Sequence, residues 1–279
     1  MAWLVHGFST RNGGCSKPYG GAQLNLGFTA HDSRAAVERN RRTFLSALTP
    51  SRARSASSSR PESWQLVALR QIHSDIIHRV IEVPGGGPLA GDGLITNVPG
   101  ILVSVLAADC QPIILVDPKH RAVGAFHAGW RGTVKRIVEK GVGEMRRWFD
   151  SKPGDLRAAL GPQIRGCCYE VGPEVREAFH SQFSYADELF RETEQSDPIQ
   201  EKYPLLFLTA RAPGHSELST KIFLDMAKAS RRQLIAAGVP PENISDVNLC
   251  TSCRNDLFFS HRRENSRTGR MMAVAGIRE

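Results

Sequence analysis

Three apolar, β-branched runs follow one another closely: ILVSVLAA (101–108), PIILVD (112–117) and AVGAFH (122–127). Only turn-length segments separate them, so they read as neighbouring strands of a sheet rather than as helices. Further strand candidates are AWLVHGF (2–8), WQLVALR (64–70), IIHRVIEV (76–83), 157–160, LLFL (205–208) and a closing MMAVAGI (271–277). Asn12-Gly13-Gly14 supplies turn chemistry after the first of these. Three helices are expected. One is capped by Asp32-Ser33 and runs to about Leu48, with Val37, Phe44, Leu45 and Leu48 on one face. A second begins at Gly132, and a third runs from Ser219 to about Ala237, stopped by Gly238 and Pro240-Pro241. Strands outnumber helices and often follow one another directly, which predicts an α+β architecture. Nothing in the composition splits the chain, so residues 1–279 are expected to form one domain. Two segments, the Ser/Arg-rich 49–61 and the polar, aperiodic 181–217, are expected to be mobile loops.

Composition narrows the function classes. The chain has 279 residues, 41% of them hydrophobic and 23% charged, which is ordinary globular usage. No apolar run approaches the ~20 residues of a membrane helix, and the N-terminus has no secretory signal pattern. A cytoplasmic protein without a membrane partner is the expectation. The net charge of +8 fits anionic partners. Aromatics, at 7%, are too dispersed to form an interleaved aromatic–basic platform, so nucleic acid is not the expected partner. The six cysteines stand at 15, 110, 167, 168, 250 and 253, in a context that favours reduced thiols over disulfides. Cys250-x-x-Cys253 alone is weak evidence for a structural metal; the adjacent Cys167-Cys168 would be awkward joint ligands.

The densest chemistry lies at the strand ends. His73 stands in Q-I-H between two predicted strands, Cys110 follows the 101–108 run, and His127 ends the 122–127 run before a glycine turn. Two imidazoles and a thiolate form a three-ligand set for a transition metal, with a fourth position open to water or substrate. The same residues without an ion could act as a Cys–His nucleophile pair. Copper also accepts two His and one Cys. The nine histidines, however, contain no His-x-His pair of the kind that builds a multicopper cluster.

At HGFSTRNGG, QLNLG, QIHSD, GDGLIT, LAADCQPIIL, FHAGWRGT, ALGPQI-x-x-CCYEVG, LCTSCRNDLFFSHRR and TGR the sequence resembles the YfiH family. That family carries the labels polyphenol oxidase or laccase-domain protein, purine nucleoside phosphorylase and peptidoglycan editing factor. The resemblance runs from His6 to about Ile277. It implies central mixed β-sheets packed as a sandwich with helices outside, similar to the cytotoxic necrotizing factor catalytic domain. It implies a metal site of His73, Cys110 and His127, usually zinc and sometimes assigned as copper, which are also the expected catalytic residues. The implied activities are phosphorolysis of adenosine, inosine, guanosine and methylthioadenosine, and deamination of adenosine, with purine nucleosides and phosphate as partners. The sequence departs from the family pattern at Ala22-Gln23 before L-N-L-G, and at Ala229-Ser230-Arg231.

Deamination at C6 of adenine needs a carboxylate to move protons, and Asp109 beside Cys110 is the nearest in sequence, although adjacent strand residues face opposite ways. Phosphorolysis needs cations around phosphate. Arg131 in the H-A-G-W-R-G turn and Arg11 in T-R-N-G-G are the expected ones, and Asn25 is placed to hydrogen-bond a nucleoside. Two alternatives stay open on the same site: amidase-type editing of peptidoglycan precursors, and copper-dependent phenol oxidation.

Overall fold

A computed structural model describes residues 1–48, 64–194 and 220–278. The loop expected at 49–61, the 205–208 run and the whole of 195–217 lie outside the described residues. The chain divides into two compact units, one formed by Met1–Arg165 with Met226–Glu279, the other by Gly166–Asp225.

The larger unit is built on two mixed sheets. The first has four strands, β1 (Leu4–Phe8), β14 (Met271–Ile277), β6 (Ile101–Ala107) and β3 (Gln65–Ala68), in that spatial order. The second has six: β13 (Ile244–Asp246), β9 (Arg157–Leu160), β7 (Gln111–Asp117), β8 (Ala122–Ala128), β5 (Gly93–Thr96) and β4 (Ile77–Arg79). The three apolar runs that opened the sequence reading become β6, β7 and β8. β7 and β8 form an antiparallel ladder from Gln111 opposite Ala128 to Asp117 opposite Ala122, while β6 belongs to the other sheet. The two sheets face each other. Val103, Val105 and Ala273 of the first pack with Ile114, Val116 and Val123 of the second in one buried cluster.

The alternate side chains of β7, Ile113 and Leu115, point to the opposite face and meet helix α3 (Ile137–Phe149) and helix α5 (Met226–Ala236) through Ile137, Val138, Met145 and Leu234. A central strand buried on both faces is why the 112–117 run shows no polar alternation. Helix α1 (Arg34–Leu48) covers the outer face of the first sheet with Phe44, Leu45 and Leu48 against Leu102, Met272 and Val274. The expected cap is present, with Ser33 Oγ accepting from the Ala36 N–H at 3.2 Å. The larger unit is therefore a sheet-on-sheet sandwich with helices on its outer faces.

Local differences from the sequence reading have simple causes. Asn12-Gly13-Gly14 lies in a strand, β2 (Asn12–Ser16), rather than in a turn. The helix expected from Gly132 is two helices, α2 (Trp130–Val134) and α3, because Arg136 adopts a left-handed φ of 64° between them. Residues 220–224, expected to start the third helix, form strand β12 (Thr220–Leu224). Ile222 and Phe223 are strand formers, and β12 pairs antiparallel with β11 (Phe190–Glu194). In this smaller unit β12 lies between β11 and β10 (Glu170–Val171), and helix α4 (Pro173–His180) meets β11 through Phe179 and Phe190. The start of the expected 181–217 loop is thus ordered: Phe179, Phe183 and Phe190 pack ring to ring with centroids 5.7 Å from Phe179.

Candidate metal centre

Each of the three donors is held by a different piece of sheet geometry. His127 is the penultimate residue of β8, opposite Pro112 on β7, and its N–H donates to the Asp92 carbonyl at 2.7 Å. Cys110 immediately precedes β7, in a turn where Asp109 has a φ of 89°. His73 lies in the loop after β3, itself at φ 55°. Two adjoining clasps hold that loop. The Gln71 side chain donates to the Leu106 carbonyl at 2.8 Å and accepts from the Leu106 N–H at 2.7 Å. On the other side the Asp92 carboxylate accepts the backbone N–H groups of Ile72, His73 and Ser74 and the Ser74 hydroxyl.

The ligand atoms of His73, Cys110 and His127 all lie within 4.8 Å of one another. Cys110 Sγ is 3.9 Å from His73 Nε2, and the two imidazoles meet edge to face with centroids 5.0 Å apart. Exposure is graded: His127 is buried, Cys110 half-buried and His73 exposed. The donor set therefore has a closed side in the sheet and an open side toward solvent. Gly129 makes the convergence possible, since a Cβ there would lie 2.9 Å from His73 Cδ2 and 3.2 Å from Cys110 Sγ.

Asp92 also fixes the chemistry of His127. Its Oδ1 accepts from His127 Nδ1 at 2.8 Å, which leaves Nε2 as the ligating nitrogen. Burial alone would raise the Asp92 pKa, but the bonds from His127 and Ser74 outweigh it and hold the carboxyl well below the usual range. Burial likewise opposes charge on Cys110 and His127. Their mutual attraction, with Asp92 behind the imidazole, brings the thiol down to about 6 and lifts the imidazole to about 9. A thiolate and two imidazoles, one oriented by a buried carboxylate and the set open on one side, fit a divalent transition metal with a vacant coordination position.

A cavity of about 550 Å³ opens beside these donors, within the roughly 300–1,000 Å³ range of small-molecule clefts. Besides His73, Cys110 and His127 it is lined by Phe28, His31, His261 and Arg270. The other expected site residues are placed differently. Arg11 is buried. It donates to the carbonyls of Asn255 and Tyr19 at 2.9 and 3.0 Å, pairs with Glu264 at 3.1 Å and stacks on Phe259, so its charge is spent within the fold. Arg131 lies over the Trp130 ring at 4.4 Å and does not line the cavity. Asn25 is fully buried and ties the turn after β2 to the start of β14: its Oδ1 accepts from the N–H of Gly27 and of Arg270. Asp109 is occupied by the Thr251 hydroxyl at 2.6 Å and the Arg262 N–H at 2.7 Å, which makes it an anchor for the 251–262 segment. Asp92 was not singled out from sequence, where it is only part of GDGLIT; His261 and Arg270 bound the stretch HRREN-SRTGR (261–270), which the sequence alone reads either as arginine forks for a phosphate or carboxylate or as a solvated loop.

Fold and site together define a mixed α/β protein whose larger unit, a two-sheet sandwich, carries a His–Cys–His metal-type centre. Residues 5–278 match the family described as multi-copper polyphenol oxidoreductase laccase. Purine nucleoside phosphorylase YlmD of Geobacillus stearothermophilus is 35% identical, across 100% of this chain and 92% of that relative. Adenosine deaminase RL5, from an unknown prokaryotic organism, is 38% identical across 64% of this chain and 59% of its own length. The crystal structure of Bacillus licheniformis hypothetical protein YfiH aligns with a TM-score of 0.79 at 31% identity, covering 99% of this chain and 93% of that one. The chain belongs to the laccase-like YfiH family. Among the described residues no helix is long and apolar enough to cross a membrane.

Proposed function

We propose that the protein is a zinc-dependent purine nucleoside enzyme. It cleaves adenosine, inosine, guanosine and methylthioadenosine with phosphate, and deaminates adenosine. The observation that carries this reading is an oriented three-donor set opening into a cavity of nucleoside dimensions; the names of the relatives support it. The whole 279-residue chain acts as one YfiH-like domain, a reading supported by the family match across 5–278.

His73, Cys110 and His127 hold the ion, which when bound supplies a Lewis-acid charge at the cavity wall. Asp92 keeps His127 in the ligating tautomer and fixes the His73 loop at the same time. His261 is the cavity residue suited to move a proton: loss of water and the nearby Arg270 charge hold its pKa below the ordinary value, so it is neutral near pH 7. Asp109 is already committed to Thr251 and Arg262 and serves instead to seat the segment that carries His261.

Incubating the zinc-loaded protein with adenosine, with and without phosphate, tests the reading. Adenine and ribose 1-phosphate that appear only with phosphate, and inosine with ammonia in either case, are the expected products. Adenosine recovered intact under both conditions would overturn it.

A further inference from the structure

The cavity wall contains one charge that neither the metal centre nor the fold consumes. Arg270 immediately precedes β14 and lines the cavity together with His73, Cys110 and His127. Its Nη1 donates to the carbonyls of Thr268 and Gly269 at 3.2 and 3.0 Å, which fixes the plane of the guanidinium. Nε and Nη2 have no protein acceptor among the described residues, so part of the planar donor fork remains available. An arginine stays charged at any pH of interest, and a guanidinium with free N–H groups in a cavity wall is a receptor for a tetrahedral oxyanion.

The turn at residues 25–27 is shaped around this side chain. A Cβ on Gly27 would lie 2.7 Å from Arg270 Cγ and 2.8 Å from its Cβ, so only glycine lets the stem pass. Asn25 Oδ1 accepts from the Arg270 N–H at 2.9 Å and from the Gly27 N–H at 3.1 Å, and Leu26 N–H donates to the Arg270 carbonyl at 3.0 Å. Asn25 is held in turn by its own donation to Asp32 at 2.8 Å. L-N-L-G and T-G-R, 245 residues apart through the Asn25–Arg270 bond, form one structural unit.

We propose that Arg270 holds the inorganic phosphate co-substrate, and that Asn25 and Gly27 position its guanidinium. The proposal rests on the phosphorolysis reading above. In that reaction a phosphate oxygen forms the bond to C1′ as the C1′–N glycosidic bond breaks. The bonding pair leaves with the purine nitrogen, and the proton of hydrogen phosphate passes to the purine, so ribose 1-phosphate and free base balance nucleoside and phosphate. Arg270 neutralises phosphate negative charge within the cavity that carries the three metal donors. Arg11 and Arg131, by contrast, lie outside that cavity wall.

The test combines direct binding with kinetics on the zinc-loaded protein. Titration calorimetry with inorganic phosphate should show binding to the wild type and a loss of roughly tenfold or more in Arg270→Ala. The phosphate KM of adenosine phosphorolysis should rise by a similar factor, with a smaller change in the adenosine KM. Arg270→Lys should recover part of the affinity as a point charge without the fork, and Gly27→Ala, which displaces the stem, should weaken phosphate in the same direction. Wild type that binds no phosphate, or Arg270→Ala with phosphate affinity within twofold of wild type, overturns the proposal. Phosphate binding that depends on Arg270 without any ribose 1-phosphate would sustain the anion site and overturn the phosphorolysis reading alone.

Discussion

Asp92 Oδ1 lies 2.8 Å from Nδ1 of His127, while the same carboxylate accepts the backbone N–H of His73 at 3.1 Å. One buried side chain thus orients two of the three donors of the His–Cys–His centre, one through its ring and the other through its loop. Asp92→Asn keeps the shape but forfeits the charge and presents the wrong hydrogen-bonding partner to Nδ1–H. Zinc affinity, measured by competition with a chromophoric chelator, is expected to fall about 10- to 100-fold. An affinity within twofold of wild type would show that Asp92 does not tune the site.

Gly129→Ala is a steric test of the same centre. The new methyl meets His73 and Cys110 at 2.9 and 3.2 Å, so the donors must separate. The expected result is weakened zinc binding with a melting temperature in chelator close to that of wild type. Equal affinity would mean that the donors can spread without loss.

A pH dependence of stability follows from Asp117, whose side chain is fully buried at the end of β7. Burial raises its pKa, but the neighbouring Ser151 hydroxyl, together with the bonds it accepts from His120 Nδ1 and from the backbone N–H groups of His120 and Lys119, more than offsets this, and the pKa is lowered. A carboxylate lowered in the folded state stabilises the protein fully above its unfolded pKa of about 3.9 and loses that contribution as pH falls through the folded value. Urea unfolding from pH 7 to pH 3 should therefore show stability falling below about pH 4, with the decline shallower in Asp117→Asn. At pH 7 that variant should be less stable by ~1–3 kcal/mol. Parallel acid limbs in the two proteins would contradict the assignment.

The laccase-like family description invites a test for phenol oxidation. A multicopper cluster needs many convergent imidazoles, whereas this cavity is lined by His31, His73, His127 and His261. With copper supplied in place of zinc, dioxygen uptake in the presence of a phenol should not exceed the rate with the same free copper and no protein. Sustained uptake that needs both copper and the protein would restore the oxidase reading.

The convergence of His73, Cys110 and His127 was legible because each closes or follows an apolar run, and strand ends are where a rigid sheet fixes side chains. The sheet positions of β7 and β8 followed from the same runs. Asp92 was not legible, because its partners are local in space but lie 18 to 35 residues away in sequence. In the one-dimensional reading it was only the centre of a loop motif, GDG. For Arg270 the stretch 261–270 already suggested arginine forks for an anion, but which arginine faces the cavity depends on Asn25, 245 residues away, and is not readable along the chain. Arg11 and Arg131 looked suitable because they sit among glycines, yet a glycine-rich neighbourhood says nothing about which carbonyls and rings will claim a guanidinium. The β12 segment was misassigned by helical continuity with α5, where pairing with β11 decided the outcome.

If His73, Cys110 and His127 together hold one metal ion, metal analysis of the purified protein will find it. Wild type is predicted to contain zinc near one equivalent per chain, and Cys110→Ala and His127→Ala to lose it while retaining wild-type far-ultraviolet circular dichroism. Zinc retained in full by both variants, or a wild type that takes up none when zinc is supplied, would mean that these three residues are not a metal site.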